Sequence, residues 1–150
     1  MVCCTHLTEQ QIGETGQKQC EMIDAILTGV LAEAPFINQP TVICGDMNIN
    51  NVVDLPLACA EFCYASPFLH PHGDHDPYAR LAAAGFKSGQ SFAKNTGVVL
   101  NTCWNAACVD YIGSRGGAQP LMYGVLDPTC DGKVLSDHRW PVGMYKTATL

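Results

Sequence analysis

The spacing of apolar residues along the chain predicts strands that alternate with helices. Between Gln17 and Leu31 the apolar residues recur every three or four positions, which is typical of one buried helix face. Thr41–Cys44 is rich in β-branched residues and predicts a buried strand, and Pro77–Ala84 predicts a helix capped by Gly85. Five further elements are expected: strands at Val2–His6, Val98–Thr102, Cys108–Ile112 and Trp140–Tyr145, and a helix at Leu55–Tyr64. This order predicts a single α/β (α+β) domain over residues 1–150.

Composition narrows the function classes. The chain has 150 residues, a net charge of −6 and only eight Lys and Arg, which disfavours a broad electrostatic grip on nucleic acid. No stretch approaches the roughly 18 apolar residues of a membrane span, so no transmembrane segment is expected. Met1 is followed by neither a basic nor a long apolar region, which predicts a cytoplasmic protein if Met1 is the true start.

The nine cysteines form no recognisable ligand pattern. Their number is odd, and most of them, such as Cys44, sit among apolar residues. A free cysteine behaves as a small hydrophobic residue, so reduced and mostly buried thiols are favoured over disulfides. A zinc site is the least favoured reading.

Polar residues follow or interrupt four of the predicted strands. Thr5–His6, Asp46–Asn48 and Ser136–His138 are expected at carboxyl ends, and Asp110 lies within its apolar run. A charge inside a strand is costly without a partner, which predicts a cation or a histidine beside Asp110. Two residues apart in extended chain, Asp46 and Asn48 are expected to face the same way.

These residue types suit one chemistry, although Gly45, Asp46 and Asn48 are also ordinary turn formers. Carboxylates bind hard cations such as Mg²⁺, and an aspartate-held histidine acts as a general base or a stabilising cation. Amide donors stabilise charge on phosphoryl oxygens, and a metal with a base can activate water as the nucleophile. The set therefore predicts metal-assisted phosphoester hydrolysis.

The same residues carry a resemblance to a known family. The chain resembles the endonuclease/exonuclease/phosphatase superfamily, which includes DNase I-like nucleases, sphingomyelinases, inositol polyphosphate phosphatases and deadenylases. The resemblance covers about Val2 to Tyr145, and Gln19 matches a glutamine common in the family. It rests on four motifs in order: Thr5-His6-Leu7, Gly45-Asp46-Met47-Asn48, Val109-Asp110-Tyr111-Ile112 and Ser136-Asp137-His138.

The resemblance implies a role for each site residue. His6 would contact the scissile phosphate, and Asp46 would orient or deprotonate the attacking water. Asn48 would hydrogen-bond a phosphoryl oxygen. Asp110 would orient His138, which would act on the phosphate as an acid, a base or an electrostatic stabiliser.

The resemblance also implies a cofactor, and it is incomplete. The cofactor would be Mg²⁺, or Mn²⁺ in its place, with Asp137 and Asp46 as metal ligands. In the family an amino-terminal half supplies a second sheet, an early Asn and the principal Glu ligand, and here the first motif begins at Thr5. The chain thus resembles a carboxyl-terminal half, which is half of a four-layer α/β-sandwich with one mixed β-sheet and flanking helices. The alternative is a non-catalytic remnant or fragment that lacks this Glu.

The incomplete resemblance shapes the expected partners. The substrate would be a phosphoester of a lipid, an inositol phosphate or a nucleic acid, with a slight preference for sphingomyelinase-like hydrolysis. A sheet without its covering half would expose apolar residues, which predicts marginal stability or self-association through the uncovered sheet.

Three other features have simpler readings. His70–Asp76 resembles a metal cluster, but a solvated loop is favoured. Gly113–Gly117 is read as a flexible turn rather than a phosphate cradle. Trp104 and Trp140 are expected to be packing residues rather than substrate platforms.

Overall fold

The computed structural model describes residues 1–8, 16–33, 36–49, 51, 74–93, 102 and 108–147, which form an α/β fold. This confirms the predicted fold class. The helices are α1 (Gln17–Ala25), which continues as a π-helical turn (Ile26–Val30), a 3₁₀ turn (Phe36–Asn38), α2 (Pro77–Ala83) and α3 (Gly89–Ala93). The strands are β1 (Val2–His6), β2 (Thr41–Asp46), β3 (Lys87–Ser88), β4 (Asp110–Arg115), β5 (Gln119–Leu126), β6 (Thr129–Cys130), β7 (Lys133–Val134) and β8 (Trp140–Lys146).

A mixed four-stranded sheet in the order β1-β2-β4-β3 forms the centre of the described fold. Strand β2 pairs with β1 in parallel and with β4 in antiparallel orientation. Two smaller antiparallel pairs, β5-β8 and β6-β7, follow in the chain.

The two faces of the central sheet differ in burial. One face packs on α1 and α2, where Ile23, Ile43, Leu81 and Tyr111 belong to one buried apolar cluster. On the other face, Ile112 and Tyr123 form a smaller cluster, and Val2 is 68% exposed. Alternate residues of a strand point to opposite faces, and exposure alternates accordingly along β1.

The partly covered face includes a groove of about 410 Å³. It is lined mainly by apolar side chains, among them Val2, Val42, Ile112 and Tyr145. Further large apolar residues are exposed on the β5-β8 pair: Leu121, Met122, Leu126, Trp140 and Met144. Self-association through this face stays a prediction.

Several predicted elements are confirmed, and others need correction. Helices α1 and α2 lie where expected, and Gly85 follows α2 with φ of 84°. The flexible turn at Gly113–Gly117 is wrong for its first half, because residues up to Arg115 belong to β4 and only Gly116 and Gly117 turn. Trp140, which was predicted to be a packing residue, is 46% exposed.

Other predictions fall outside the part of the chain that the structure describes. These are the helix at Leu55–Tyr64, most of the strand at Val98–Thr102, His70 and His72 of the 70–76 loop, and Trp104. Within the described residues, none of the helices is both apolar and long enough to cross a bilayer.

The cysteine prediction holds only in part. The six cysteines within the described ranges are reduced thiols. Cys20 and Cys108 are buried, whereas Cys4 and Cys130 are exposed. The expected burial of most thiols is therefore wrong for this part of the chain.

Candidate functional site

Strand register places three of the predicted site residues side by side. His6 pairs with Asp46 across β1 and β2, and Asp46 pairs with Asp110 across β2 and β4. Residues directly opposite each other on neighbouring strands share one face of the sheet. His6, Asp46 and Asp110, called here the polar row, therefore form one line across three strands.

Strand direction explains a correction to the sequence prediction. Asp110 was expected within an apolar run, and His138 at a carboxyl end, yet Asp110 begins β4 and His138 precedes β8. Because β4 runs antiparallel to β2, its amino end lies beside the carboxyl end of β2. The carboxyl ends of β1 and β2 and the amino end of β4 therefore lie together.

His138 joins the polar row through a hydrogen bond. Its Nδ1 lies 2.9 Å from Oδ2 of Asp110 and 3.9 Å from Oδ2 of Asp46. Nε2 of His6 lies 3.6 Å from the same Asp46 oxygen. The predicted contact of Asp110 with His138 is present, and Asp46 stands between two imidazoles.

Exposure separates the members of this group. The side chains of Asp46 and Asp110 are 16% and 13% exposed, whereas that of His6 is 75% exposed. The carboxylates are thus held largely within the protein, and His6 is open to a molecule arriving from solvent.

Burial is the largest influence on both members of the Asp110–His138 pair. It raises the pKa of Asp110, and hydrogen bonds from Thr102 and His138 offset part of this rise. Burial lowers the pKa of His138, but the hydrogen bond and charge of Asp110, with the charges of Asp46 and Asp137, outweigh it, so the His138 pKa is raised from 6.5. We place the shared proton on His138, since imidazole is ordinarily the stronger base.

A tight turn after β2 holds Asp46 and Asn48. The backbone N–H of Asn48 donates to Oδ1 of Asp46 at 2.7 Å, and its side-chain Nδ2 donates to the carbonyl of Leu7 at 2.8 Å. Asn48 has a positive φ of 51°. The extended conformation assumed for Asp46–Asn48 is therefore wrong, because the strand ends at Asp46. That the two side chains face the same way stays a prediction.

Gly45 is the residue that lets β1 and β2 lie close together. Its φ is 147°, in the region that favours glycine, and it pairs with Thr5 of β1. A Cβ at this position would lie 1.7 Å from the carbonyl oxygen of Thr5. The glycine before Asp46 thus serves the packing of the two strands that carry His6 and Asp46.

Thr102 is a positioning residue that the sequence did not reveal. Its Oγ1 accepts the backbone N–H of Asp110 at 3.0 Å, and its carbonyl accepts the backbone N–H of Arg139 at 2.6 Å. One residue therefore ties the start of β4 to the segment that carries His138. A lone threonine gives no signal of such a role in sequence.

Two buried side-chain amides, linked by a hydrogen bond, support the backbone of Asp110. Gln90 donates from Nε2 to the carbonyl of Asp110 at 2.9 Å, and Asn51 donates from Nδ2 to Oε1 of Gln90 at 2.9 Å. Both amide side chains are fully buried. Buried polar groups require such partners. These two hydrogen bonds therefore hold the backbone of Asp110 in place.

Gln19 also contacts the site region. It is fully buried on α1 and donates from Nε2 to the carbonyl of Thr8 at 2.9 Å, two residues after His6. The glutamine singled out in the sequence therefore braces the segment that follows β1.

The described residues contain one group with the geometry of a metal site: Asp46, Asp110 and His138, whose ligand atoms all lie within 4.8 Å of one another. Asp137 was predicted as a ligand, and it is exposed and not part of this group. Its role as a metal ligand stays a prediction.

Comparison with known proteins bears on the fold. No protein-family model matches the chain, and no curated protein matches it either. It is similar to the crystal structure of a functionally unknown conserved protein from Enterococcus faecalis V583, with a TM-score of 0.61 and 19% identity. The match covers 98% of this chain and 50% of that one. The chain thus spans about half the length of this structural relative, and the likeness extends to the fold alone.

Proposed function

We propose that the polar row and His138 form the phosphate-handling part of a divalent-metal-dependent phosphoester hydrolase. The observation that carries the proposal is the convergence of His6, Asp46, Asp110 and His138 at one sheet edge, from four separate parts of the chain. Two carboxylates beside two imidazoles provide both a base for water and hydrogen-bond donors for phosphoryl oxygens.

Asp46 is suited to act on the attacking water. Its Oδ1 is held by the N–H of Asn48, while Oδ2 faces His6 at 3.6 Å and His138 at 3.9 Å. Both distances are longer than a hydrogen bond, so neither imidazole occupies this oxygen as a hydrogen-bond donor. A carboxylate held in this way orients water and accepts its proton.

His138 is suited to act on the phosphate. Its Nδ1 is engaged by Asp110, so the tautomer and the orientation of the ring are fixed by that bond. The protonated ring then offers Nε2–H as a donor to a phosphoryl or leaving oxygen. The exposed His6 would supply a second donor from the opposite side of Asp46.

A hard cation fits part of this donor set. Mg²⁺ is commonly bound through one or two carboxylates, with waters and substrate phosphates completing its shell. Asp110 is committed to His138, so Asp46 is the residue of this group that would hold the ion. The family resemblance implies Asp137 as a second ligand, although it is exposed and lies outside the group. When bound, the ion supplies positive charge to the phosphate oxygens.

A second candidate is a non-catalytic remnant that binds or associates without turnover. One observation favours it: one face of the central sheet leaves Val2 68% exposed, and an exposed apolar face is a surface for association. The two candidates differ in one observable, which is catalysis.

Hydrolysis of bis(p-nitrophenyl) phosphate by the whole chain tests the proposal. We expect release of p-nitrophenol that requires added Mg²⁺ and stops when EDTA removes the ion. The monoester p-nitrophenyl phosphate, assayed in parallel, separates diesterase from monoesterase activity. A folded chain that hydrolyses neither compound with Mg²⁺ or Mn²⁺ would refute the enzyme and favour the remnant.

A further inference from the structure

Two cysteines lie one row away from the polar row on the same face of the sheet. Cys4 pairs with Cys44 across the parallel strands β1 and β2, and each lies two residues before the pair formed by His6 and Asp46. Their sulfur atoms are 3.4 Å apart. This contact plays no part in the hydrolysis proposed above.

The geometry points to a redox site: we propose that Cys4 and Cys44 form a reversible disulfide when the chain meets a small-molecule disulfide such as oxidised glutathione. A disulfide needs Cα atoms about 4.4–6.8 Å apart, and paired residues of neighbouring strands are spaced about 4.7–4.9 Å apart. The two thiols can therefore join by a small movement of the side chains. The strand register itself stays unchanged.

The two thiols differ in access, which assigns their roles. Cys4 is exposed, and Cys44 is partly buried behind it. Cys3, the neighbour of Cys4 in sequence, packs instead against the buried cluster on the opposite face of the sheet. Cys4 is therefore the thiol that an oxidant meets first, and Cys44 is the thiol within reach to complete the reaction.

The reaction balances in two steps. The Cys4 thiolate attacks one sulfur of glutathione disulfide, which forms a mixed disulfide and releases one glutathione thiolate. Cys44 then loses its proton and attacks the Cys4 sulfur, which forms the Cys4–Cys44 bond and releases the second glutathione. The protein gives up two electrons and two protons, and both glutathione molecules leave as reduced thiols.

The Cys4–Cys44 disulfide would link β1, which carries the site residue His6, covalently to β2. Strand β1 lies at the edge of the sheet and bears His6, and β2 bears Asp46. Linking residues 4 and 44 closes a long loop and restricts the unfolded chain. The oxidised form is therefore expected to melt at a temperature higher by roughly 10 °C than the reduced form.

Non-reducing peptide mapping of the whole chain tests the proposal directly. After incubation with glutathione disulfide, we expect a linked pair of peptides that contains Cys4 and Cys44, lighter than their sum by two hydrogen atoms. Dithiothreitol should restore the separate peptides. This measurement uses the unmodified chain, so it does not depend on how any variant folds.

Serine variants provide matched controls for the melting shift. Cys4→Ser and Cys44→Ser should each lose the rise in melting temperature, whereas Cys130→Ser, at another exposed cysteine, should keep it. Cys3→Ser should also keep the rise in melting temperature, because Cys3 lies on the same strand as Cys4 but on the opposite face of the sheet. The proposal is overturned if Cys4 appears only as a glutathione adduct, if it links to another cysteine, or if Cys44→Ser keeps the shift.

Discussion

Replacing Asp46 by alanine is expected to lower the rate of Mg²⁺-dependent phosphoester hydrolysis by about 10³-fold, within the range typical of general acid–base catalysis. Asp46 is the central residue of the polar row, with imidazoles 3.6 Å and 3.9 Å from its Oδ2. In the proposed hydrolase, its loss would remove the proton acceptor for water and a carboxylate ligand for the ion. His138→Ala should cause a loss of about 10²–10⁴-fold, because it would remove the proposed donor to the phosphate.

A carboxylate remote from the site serves as the control. Asp24 lies on α1, near Arg80 at 3.8 Å, and it is half exposed. Asp24→Ala should leave the rate of hydrolysis close to that of the parent. Circular dichroism should show the same fold in all three variants. If folded Asp46→Ala retains the parental rate, then Asp46 is not the base.

Replacing Gly45 by alanine is expected to destabilise the fold by more than about 4 kcal/mol, the range reached only by a few mechanisms such as backbone strain. The new Cβ would lie 1.7 Å from the Thr5 oxygen and 2.7 Å from the Thr5 carbonyl carbon. Both atoms belong to backbone that is paired with β2, so relief requires the two strands to separate. Alanine is also strained at a φ of 147°.

Gly29 offers a matched control for this substitution. It lies in the π-helical turn after α1, and a Cβ there would meet no atom within 4 Å. Gly29→Ala should be neutral or stabilising by about 0.4–1 kcal/mol, because it restricts the unfolded chain. Urea unfolding monitored by circular dichroism measures both variants. Equal unfolding midpoints for Gly45→Ala and the parent would contradict the close approach of β1 and β2.

Local pattern predicted much of the fold. The helical spacing of Cys20, Ile23 and Leu31 placed α1, and these residues are buried in the structure. The β-branched run at Thr41–Cys44 placed β2. Such patterns depend only on residues close in sequence, so they can be recognised without knowledge of the tertiary structure.

Strand β5 shows where local pattern fails. Gln119–Leu126 contains Pro120 and Gly124, both of which are poor strand formers, and no strand was predicted there. Its pairing with β8 comes from residues some 20 positions away, with an irregularity between Pro120 and Met122. A long-range pairing of this kind overrides local propensity.

The sequence identified the residues of the candidate site better than it predicted their arrangement. His6, Asp46, Asp110 and His138 were each named from motifs, and the structure brings them together. Their assembly depends on β4 running antiparallel to β2, which no local pattern reveals. The supporting residues Thr102 and Gln90 were missed for the same reason, since their partners are distant in sequence.

An NMR titration of the His138 ring, in the parent and in Asp110→Asn, tests most directly whether these residues form one charged site. Because the folded pKa of His138 is raised from 6.5, its protonation stabilises the fold at lower pH, and this contribution is lost as the pH rises through the folded pKa. His138→Gln assigns the resonance. We predict a His138 pKa above 6.5 in the parent and a lower pKa in Asp110→Asn. The same His138 pKa in both proteins would contradict this prediction.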